Sequence, residues 1–278
     1  MHRVEPWRYA ALLAVALLAA CGSSPKPPPE PRLRVQAQEL ESSGARRYAQ
    51  GDYSAAARHF AEAARLRSSF DDAAAASRNR LQQAQAELAL GQTQQALDHA
   101  RQVTEAPLQV QALLLQVQAQ LALGRTDAAQ ALLTRLISLC ESRCVERGRV
   151  QMLQARTAWA QGHAAQAAAQ AEAALPLLRE QAEEREVANA WRLLAAARLA
   201  QGEGTAALQA AQAALVIDRQ LAVPEKIARD WLLIGDIQRR LAPSEARMAY
   251  QRALAVAQAA GLKELVQLAD QSIKETSR

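Results

Sequence analysis

A short phrase containing glycine recurs along this 278-residue chain, and its spacing is the strongest constraint on the fold. Consecutive glycines of the phrase are 40, 33, 38 and 40 residues apart. Glycine adopts the left-handed backbone conformation without strain, so it commonly ends one helix before an antiparallel helix begins. A sequence period of this size indicates a solenoid of helix pairs. The phrases are AQGDY, ALGQT, ALGRT, AQGHA and AQGEG, around Gly51, Gly91, Gly124, Gly162 and Gly202.

The composition agrees with helices throughout the chain. Alanine supplies 66 residues and glutamine 31, whereas phenylalanine, tryptophan and tyrosine together supply ten. Alanine, leucine, glutamine and arginine lose little on entering a helix, whereas sheets favour β-branched and aromatic residues. The sequence therefore predicts an all-α protein and excludes a β-sandwich or barrel.

The charge of the chain gives no indication of a nucleic-acid partner. The net charge of +5 arises from 33 basic and 28 acidic residues, and the basic residues are scattered along the sequence. Nucleic-acid binding would require a basic stripe or a recognisable motif. We expect no nucleic-acid partner and no cofactor.

The N-terminal segment is typical of a secretion signal. A charged start is followed by an apolar run from Ala10 to Ala20, which is too short to span a bilayer as a mature helix. The four residues Leu18 to Cys21 resemble the lipobox of bacterial lipoproteins, in which the cysteine becomes the lipidated first residue. The resemblance implies a signal peptide at residues 1–20 and lipidation at Cys21. The alternative is an ordinary secretory signal with an incidental cysteine.

The residue after Cys21 bears on location. In the lipoprotein family an aspartate at this position favours retention in the inner membrane, and this chain has Gly22. The resemblance therefore implies a lipid anchor in the outer membrane, with the folded part facing the periplasm. Residues 21–36 contain five of the ten prolines, which favours an extended tether. We place the solenoid at residues 37–261 and a capping helix with a polar tail at residues 262–278.

The repeated unit resembles the tetratricopeptide repeat (TPR) family, in which small residues lie where the two helices of a unit touch. Aligned on the turn glycines, the small position of the second helix is alanine in six units. The small position of the first helix is Gly44, Ala84, Val117, Ala155, Ala195 and Gly235. The resemblance implies a right-handed α-solenoid of about six antiparallel helix pairs with a C-terminal capping helix. The six alanines are Ala56, Ala96, Ala129, Ala167, Ala207 and Ala246.

Two cysteines remain once Cys21 is assigned to the anchor. Cys140 and Cys144 lie between the third and fourth units. An even pair of cysteines in an oxidising compartment usually forms a disulfide, and two free thiols on a helix face are the alternative. We expect a disulfide that holds the turn between two repeats.

No catalytic motif is apparent, and we expect neither an enzyme nor a metal site. The sequence contains no HExxH motif, nucleophile elbow or phosphate-binding glycine loop. The TPR resemblance instead implies a partner-binding groove on the concave face, lined by the first helix of each unit. The positions that would face this groove are Tyr48, Arg149, Arg156, Trp159, Arg192, Arg229, Asp236 and Arg239.

These residues suggest a basic groove suited to a peptide with acidic groups. The alternative is that the arginines are solvated and merely cover helix surface. We expect a lipid-anchored TPR scaffold that binds another cell-envelope protein, as do TPR lipoproteins of secretin assembly, outer-membrane protein insertion or cell-wall enzyme tethering. The competing hypothesis is a periplasmic ligand-binding or peptidoglycan-binding sensor, which would require aromatic residues converging on a closed pocket.

Overall fold

The computed structural model describes residues 31–140 and 144–276, and this part of the chain is helical without strands. Thirteen α-helices follow one another with short connections, and a 3₁₀ turn, Ala106–Leu108, precedes α5. The helices are α1 (Arg32–Ala49), α2 (Tyr53–Ser69), α3 (Ala73–Ala89), α4 (Thr93–Arg101), α5 (Gln109–Ala122), α6 (Thr126–Leu139), α7 (Arg147–Ala160), α8 (Ala164–Glu180), α9 (Glu184–Ala200), α10 (Gly204–Gln220), α11 (Pro224–Leu241), α12 (Pro243–Ala259) and α13 (Lys263–Glu275).

The helices form six consecutive pairs, α1/α2 to α11/α12, and α13 closes the last pair. Each helix packs against the next one along the chain, and the first helices of neighbouring pairs also contact one another. This arrangement is an α-solenoid whose first helices form the inner layer. The predicted fold class, an all-α solenoid of six helix pairs with a terminal helix, is confirmed.

The small residues predicted at the helix crossings are buried in every unit. The alanines of the second helix, from Ala56 to Ala246, are at most 2% exposed. The first-helix positions, from Gly44 to Gly235, are buried as well. Backbones approach closely at these crossings, so little more than a Cβ fits there.

The left-handed conformation occurs in turns within a helix pair and also in turns between pairs. The five glycines of the recurrent phrase have φ between 69° and 82°, as the sequence predicts for helix ends. Three turns between units reach the same conformation with a non-glycine residue, at Asp71, Ala182 and Ala222. Because these residues have a Cβ, they adopt this conformation with strain.

Replacing Ala222 with glycine is expected to stabilise the protein by about 0.5–1 kcal/mol. The residue has φ of 51°, where the Cβ is unfavourable and glycine is not. The matched control is Ala173→Gly, at an exposed position inside α8, which should destabilise by about 0.5–1 kcal/mol. Urea unfolding of both variants measures the difference. Destabilisation by Ala222→Gly would contradict the strain argument.

The solenoid begins earlier than the sequence suggested. Helix α1 starts at Arg32, whereas the tether was expected to extend to residue 36. Pro31 precedes the helix with φ of −55°, which directs the chain into its first turn, and the residues that follow it are good helix formers. At the other end, α13 lies within the predicted capping segment, residues 262–278.

Several features predicted for the N-terminus lie outside the described residues. These are the signal at residues 1–20, the lipidated Cys21 and most of the tether. Within residues 31–140 and 144–276, no helix combines the length and the apolar character needed to cross a membrane. Cys140 and Cys144 form a disulfide, with Cα atoms 5.0 Å apart, at the connection between α6 and α7.

Candidate functional site

The inner layer of the solenoid surrounds a channel of about 890 Å³. Its lining comes from α1, α2, α3, α5, α7, α9, α10 and α11 and the turns before them, so residues far apart in sequence share one space. The volume lies near the upper end of the range for small-molecule pockets. The lining includes Tyr48, Tyr53, Arg78, Leu81, Gln82, Gln85, Leu88, Gln111, Leu115, Gln118, Arg149, Arg156, Glu183, Arg185, Glu186, Asn189, Asp218, Glu225 and Lys226.

The structure brings three of the eight predicted groove residues into this channel. They are Tyr48, Arg149 and Arg156. Arg149 forms ion pairs with Glu183, at 2.6 Å, and with Glu146, at 3.4 Å, so its charge is compensated. Arg156 has no ion pair among the residues that the structure describes, and it lies on the channel wall half-buried.

Four predicted residues lie outside the channel lining. Trp159, 40% exposed, is next to the last residue of α7. Arg229 pairs with Glu225 on its own helix at 3.0 Å. Arg239 pairs with Glu275 of the capping helix at 3.6 Å, and Asp236 accepts a hydrogen bond from the Tyr250 hydroxyl at 2.7 Å. The last two contacts link neighbouring helices at the end of the solenoid.

Arg192, the eighth predicted residue, is part of a polar network at the junction of the last two helix pairs. Its guanidinium donates to Asp230 Oδ1 at 2.6 Å, to Asn189 Oδ1 at 2.7 Å and to Asp218 Oδ2. Asp230 is fully buried and Asp218 is 3% exposed. With its three nitrogens engaged in this way, Arg192 stabilises the contact between α9, α10 and α11 and is not positioned to bind a partner.

The two carboxyl groups of this network are close neighbours, and one holds its proton unusually firmly. Burial raises the pKa of Asp230 to about 7; Arg192 opposes the rise, and the Asp218 carboxylate adds to it. Asp230 Oδ2 is buried without a hydrogen-bond donor in the described part of the chain. An unpaired buried carboxylate oxygen is costly, which favours the protonated form.

This raised pKa predicts a pH dependence of stability. The folded pKa lies above the ordinary value of 3.8, so the stabilising contribution is complete below pH 3.8 and is lost as pH rises through about 7. The variant Asp230→Asn removes the titration and keeps an oxygen for Arg192. We expect the unfolding free energy of the variant, relative to the wild type, to increase between pH 4 and pH 7. A difference that is constant with pH, measured by urea unfolding, would contradict this assignment.

An equivalent network with reversed charge lies at the junction of the first two helix pairs. Arg67 donates to both carboxylate oxygens of Glu41, at 2.9 and 3.0 Å, and the Asn79 amide donates to Glu41 at 2.8 Å. Glu41 and Arg192 occupy the same repeat position, three residues before the small residue of the first helix. Arg67 corresponds in the same way to Asp218, and Asn79 to Asp230. The polar triads therefore belong to the architecture at each end of the solenoid.

The cations of the channel are incompletely neutralised. Three of its carboxylates, those of Glu183, Asp218 and Glu225, are each paired with an arginine. Among the residues that the structure describes, Glu186 is the acid of the lining without an ion pair. On the same surface four cations have no ion-pair partner in residues 31–140 and 144–276. They are Arg78, Arg156, Arg185 and Lys226.

Lys226 is the most confined of these four cations. It is half-buried, and its pKa is lowered first by burial and then by repulsion from Arg192, Arg229 and Arg156, against attraction to Glu225. A desolvated ammonium among guanidinium groups gains most from a carboxylate brought by a ligand. The channel is therefore chemically suited to an anionic group.

The sequence alignment missed Lys226, Arg185 and Arg78. Lys226 and Arg185 lie in the first turns of α11 and α9, and Arg78 lies in the first half of α3. Arg78 lies six residues before Ala84, the position that Arg149 has before Ala155, so the alignment could have found it. The helices of Arg185 and Lys226 have 17 and 18 residues, so each starts earlier than the family pattern assumes. The spacing of about 40 residues was the available signal, because the extra residues extend the helices at their N-terminal ends.

Trp191 and Trp231, two of the three tryptophans of the repeats, take part in packing. Trp231 lies between the guanidinium groups of Arg219, 5.2 Å from the ring centre, and Arg252, at 4.7 Å. Trp191 contacts Arg179 at 5.6 Å. Both rings also pack against buried apolar residues. Among the described residues, the aromatic side chains that line the channel are Tyr48 and Tyr53. In the described part of the chain, no cluster of histidine, cysteine or acidic side chains could hold a metal ion.

Comparisons with known proteins support the fold. No protein-family model and no curated protein matches the chain. Among solved structures, the Cut9 and Hcn1 hetero-tetramer of APC/C is similar with a TM-score of 0.73 and 17% identity, over 98% of this chain and 46% of that one. The chain thus spans less than half of that protein. A signal transduction ATPase with a tetratricopeptide repeat sensor, from Pyrococcus horikoshii, has a TM-score of 0.65 and 12% identity, over 99% and 44%.

A Rap protein complexed with Competence and Sporulation Factor is also similar, with a TM-score of 0.64 and 10% identity over 87% of this chain and 75% of that one. Identities at this level show the fold alone. The helix pairing, the buried small residues and these similarities together establish that the chain has a TPR-like helical repeat fold.

Proposed function

We propose that this protein is a lipid-anchored scaffold of the bacterial cell envelope, which binds an acidic segment of another envelope protein in its concave channel. The observation that carries the proposal is the set of unpaired cations in the channel, with Lys226 half-buried among other positive groups. A similar fold with a bound partner is the Rap protein complexed with Competence and Sporulation Factor. The candidate partner complexes are those of secretin assembly, outer-membrane protein insertion and cell-wall enzymes.

A peptidoglycan sensor has less support from the site. Glycan binding would require aromatic faces that converge on the ligand, and Trp191 and Trp231 stack on arginines within the repeat packing. Trp159 lies outside the channel lining. Three carboxylates of the channel, those of Glu183, Asp218 and Glu225, are engaged in ion pairs with arginines, an arrangement that fits a non-enzymatic scaffold.

The proposal is tested by site-specific photocrosslinking in living cells. A photoreactive residue at Gln85, inside the channel, should capture a specific protein, and one at the exposed Gln209 should not. The double variant Arg156→Glu and Lys226→Glu should reduce capture at least about tenfold, since a lost charge pair corresponds to 1.4 kcal/mol or more. The matched control is Arg135→Glu with Arg247→Glu, at exposed positions of two second helices, and it should leave capture unchanged. Equal capture by both double variants would overturn the channel assignment.

The anchor is tested separately. Metabolic palmitate labelling of the full chain is expected, and the variant Cys21→Ser should lose the label and the membrane fraction, because each buried methylene contributes about 0.8 kcal/mol to anchoring. The variant Gly22→Asp should move the protein to the inner-membrane fraction. Labelling that persists in Cys21→Ser would contradict the lipid anchor and leave the channel proposal intact.

A further inference from the structure

The connection between α6 and α7 is held differently from the other connections between helix pairs. Three of those are turns of three residues, each with one left-handed residue, and a fourth contains the 3₁₀ turn before α5. The α6–α7 connection runs over seven residues, and in its described part, residues 140 and 144–146, no residue is left-handed. The disulfide between Cys140 and Cys144 closes it instead. A covalent bond therefore takes the place that a constrained backbone has at three other junctions.

A short path of contacts leads from this disulfide to the channel. Val145 directly follows the second cysteine, and its carbonyl accepts a hydrogen bond from the Gln181 side chain. The next residue, Glu146, pairs with Arg149 in the first turn of α7 at 3.4 Å. Arg149 lines the channel and also pairs with Glu183, another lining residue. The disulfide therefore fixes the segment from which the α7 wall of the channel begins.

The disulfide is accessible, and exposed apolar side chains flank it. Both cysteines are partly exposed. The residues next to them, Leu139 and Val145, are 45% and 77% exposed, and Ile137 is 40% exposed. Exposed apolar residues grouped in this way indicate contact with another protein. Because a disulfide lies among them, the partner that fits this surface is a protein dithiol, which must reach a sulfur atom to react.

The bond acts locally because the two cysteines are only four positions apart in the sequence. A cross-link that closes so short a loop removes less freedom from the unfolded chain than one that closes a long loop. Breaking it should therefore leave the solenoid folded and change chiefly the junction between the third and fourth helix pairs.

On the basis of the proposed function, we infer that the Cys140–Cys144 disulfide is a redox switch for the channel. A protein dithiol docks on Ile137, Leu139 and Val145 and reduces the bond. Reduction releases the start of α7, and Arg149 loses its ordered ion pairs. The channel then binds its partner protein less tightly, because the α7 wall must be ordered on binding.

The reaction is a thiol–disulfide exchange that consumes the dithiol. Its thiolate attacks one cysteine sulfur, which forms a mixed disulfide and releases the other cysteine as a thiolate that takes up a proton. The second thiol of the dithiol then attacks the mixed disulfide and displaces the remaining cysteine. The dithiol leaves as a disulfide, and two electrons and two protons are transferred to Cys140 and Cys144. A protein disulfide reverses the same steps.

Hydrogen exchange of the full chain in detergent, followed by mass spectrometry, measures the release of α7. Reduction with dithiothreitol is expected to accelerate exchange at residues 150–153 at least about tenfold, because local opening sets the exchange rate. Exchange in α11 (Pro224–Leu241) should stay unchanged. The variant Cys140→Ser with Cys144→Ser should match the reduced protein and show no response to dithiothreitol. Equal exchange in the oxidised and reduced protein would overturn the inference.

Reduction kinetics without denaturant test the docking surface, with thioredoxin as the protein dithiol and dithiothreitol as the small one. Leu139→Gln with Val145→Gln is expected to slow reduction by thioredoxin at least about threefold and to leave reduction by dithiothreitol unchanged. The matched control is Val216→Gln with Leu268→Gln, at positions that are 54% and 48% exposed, and it should slow neither reaction. Reduction by thioredoxin at the wild-type rate in the first variant would reject the docking surface.

Photocrosslinking at Gln85 in living cells separates failure of the inference from failure of the proposed function. The variant Cys140→Ser with Cys144→Ser is expected to reduce capture at least about threefold, since an unordered wall weakens binding. Equal capture by the wild type and this variant would overturn redox control and retain the proposed function. No capture by either would overturn both. Thermal melting of the variant excludes unfolding as the cause of a reduced capture.

Discussion

Replacing Arg192 with methionine is expected to lower the free energy of unfolding by about 3–5 kcal/mol. The substitution leaves Asp218 and Asp230 as neighbouring buried acids without the cation that both contact. Removal of one partner from a buried ionic network is far more destabilising than removal of the whole network, because the remaining charge has no solvent. Urea unfolding at pH 8 measures the effect, and the loss should be smaller at pH 5, where Asp230 holds its proton.

The preceding junction of the solenoid has apolar residues at the positions of this network. At the preceding junction the three equivalent positions are occupied by Met152, Leu178 and Ala190, and all three are at most 2% exposed. The triple variant Arg192→Met, Asp218→Leu and Asp230→Ala copies that set. We expect the triple variant to be within about 1 kcal/mol of the wild type, or more stable, because apolar replacement of a whole buried ion network is commonly neutral or stabilising.

An exposed pair provides the control for Arg192. Arg229→Met removes the partner of Glu225, and both side chains are nearly half exposed, so the expected loss is below about 1 kcal/mol. A similarly small loss in Arg192→Met would mean that the network is not closed in solution. That result would instead support the expectation from the sequence that Arg192 faces the groove.

The solenoid could be predicted from the sequence because its constraints are local and repeated. The positive φ at Gly51 or Gly202 requires a glycine for steric reasons, and the crossings at Ala167 and Ala207 admit only a small side chain. Ala182 and Ala222 adopt the same left-handed turn without a sequence signal. Tertiary packing imposes their conformation against local preference, so propensity could not identify them.

The site was less predictable than the fold for a different physical reason. A family register identifies which helix faces the groove, but an arginine on that face can meet carboxylates from neighbouring helices. Arg192 does so through Asp218 and Asp230, which lie 26 and 38 residues away along the chain. Lys226 has no such partner in the described part of the chain, and only the three-dimensional pairing distinguishes the two residues. Charge compensation is a property of contacts that sequence spacing does not contain.

Replacing Tyr250 with alanine is expected to lower the free energy of unfolding by about 3–5 kcal/mol, as for other large buried aromatic residues. The ring is fully buried, and its hydroxyl donates to Asp236. It lies directly over Gly235, where a Cβ would overlap the ring atoms. Gly235→Ala alone should therefore cost about 1–3 kcal/mol through overpacking.

The effects of the two substitutions on stability are expected to be strongly coupled, because the side chains at positions 235 and 250 occupy the same space between the helices. The equivalent pair in the preceding repeat is Ala195 and Ala211, both fully buried, so Ala with Ala is an arrangement that this fold already contains. The double variant Gly235→Ala with Tyr250→Ala should be more stable than the sum of the single changes predicts, by about 0.5–3 kcal/mol. Gly44 with Phe60 in the first repeat gives a second, independent cycle, since a Cβ at Gly44 would lie 2.8 Å from the ring. Additive losses in both cycles would show that the aromatic rings do not set the spacing of the helix pairs at the two ends of the solenoid.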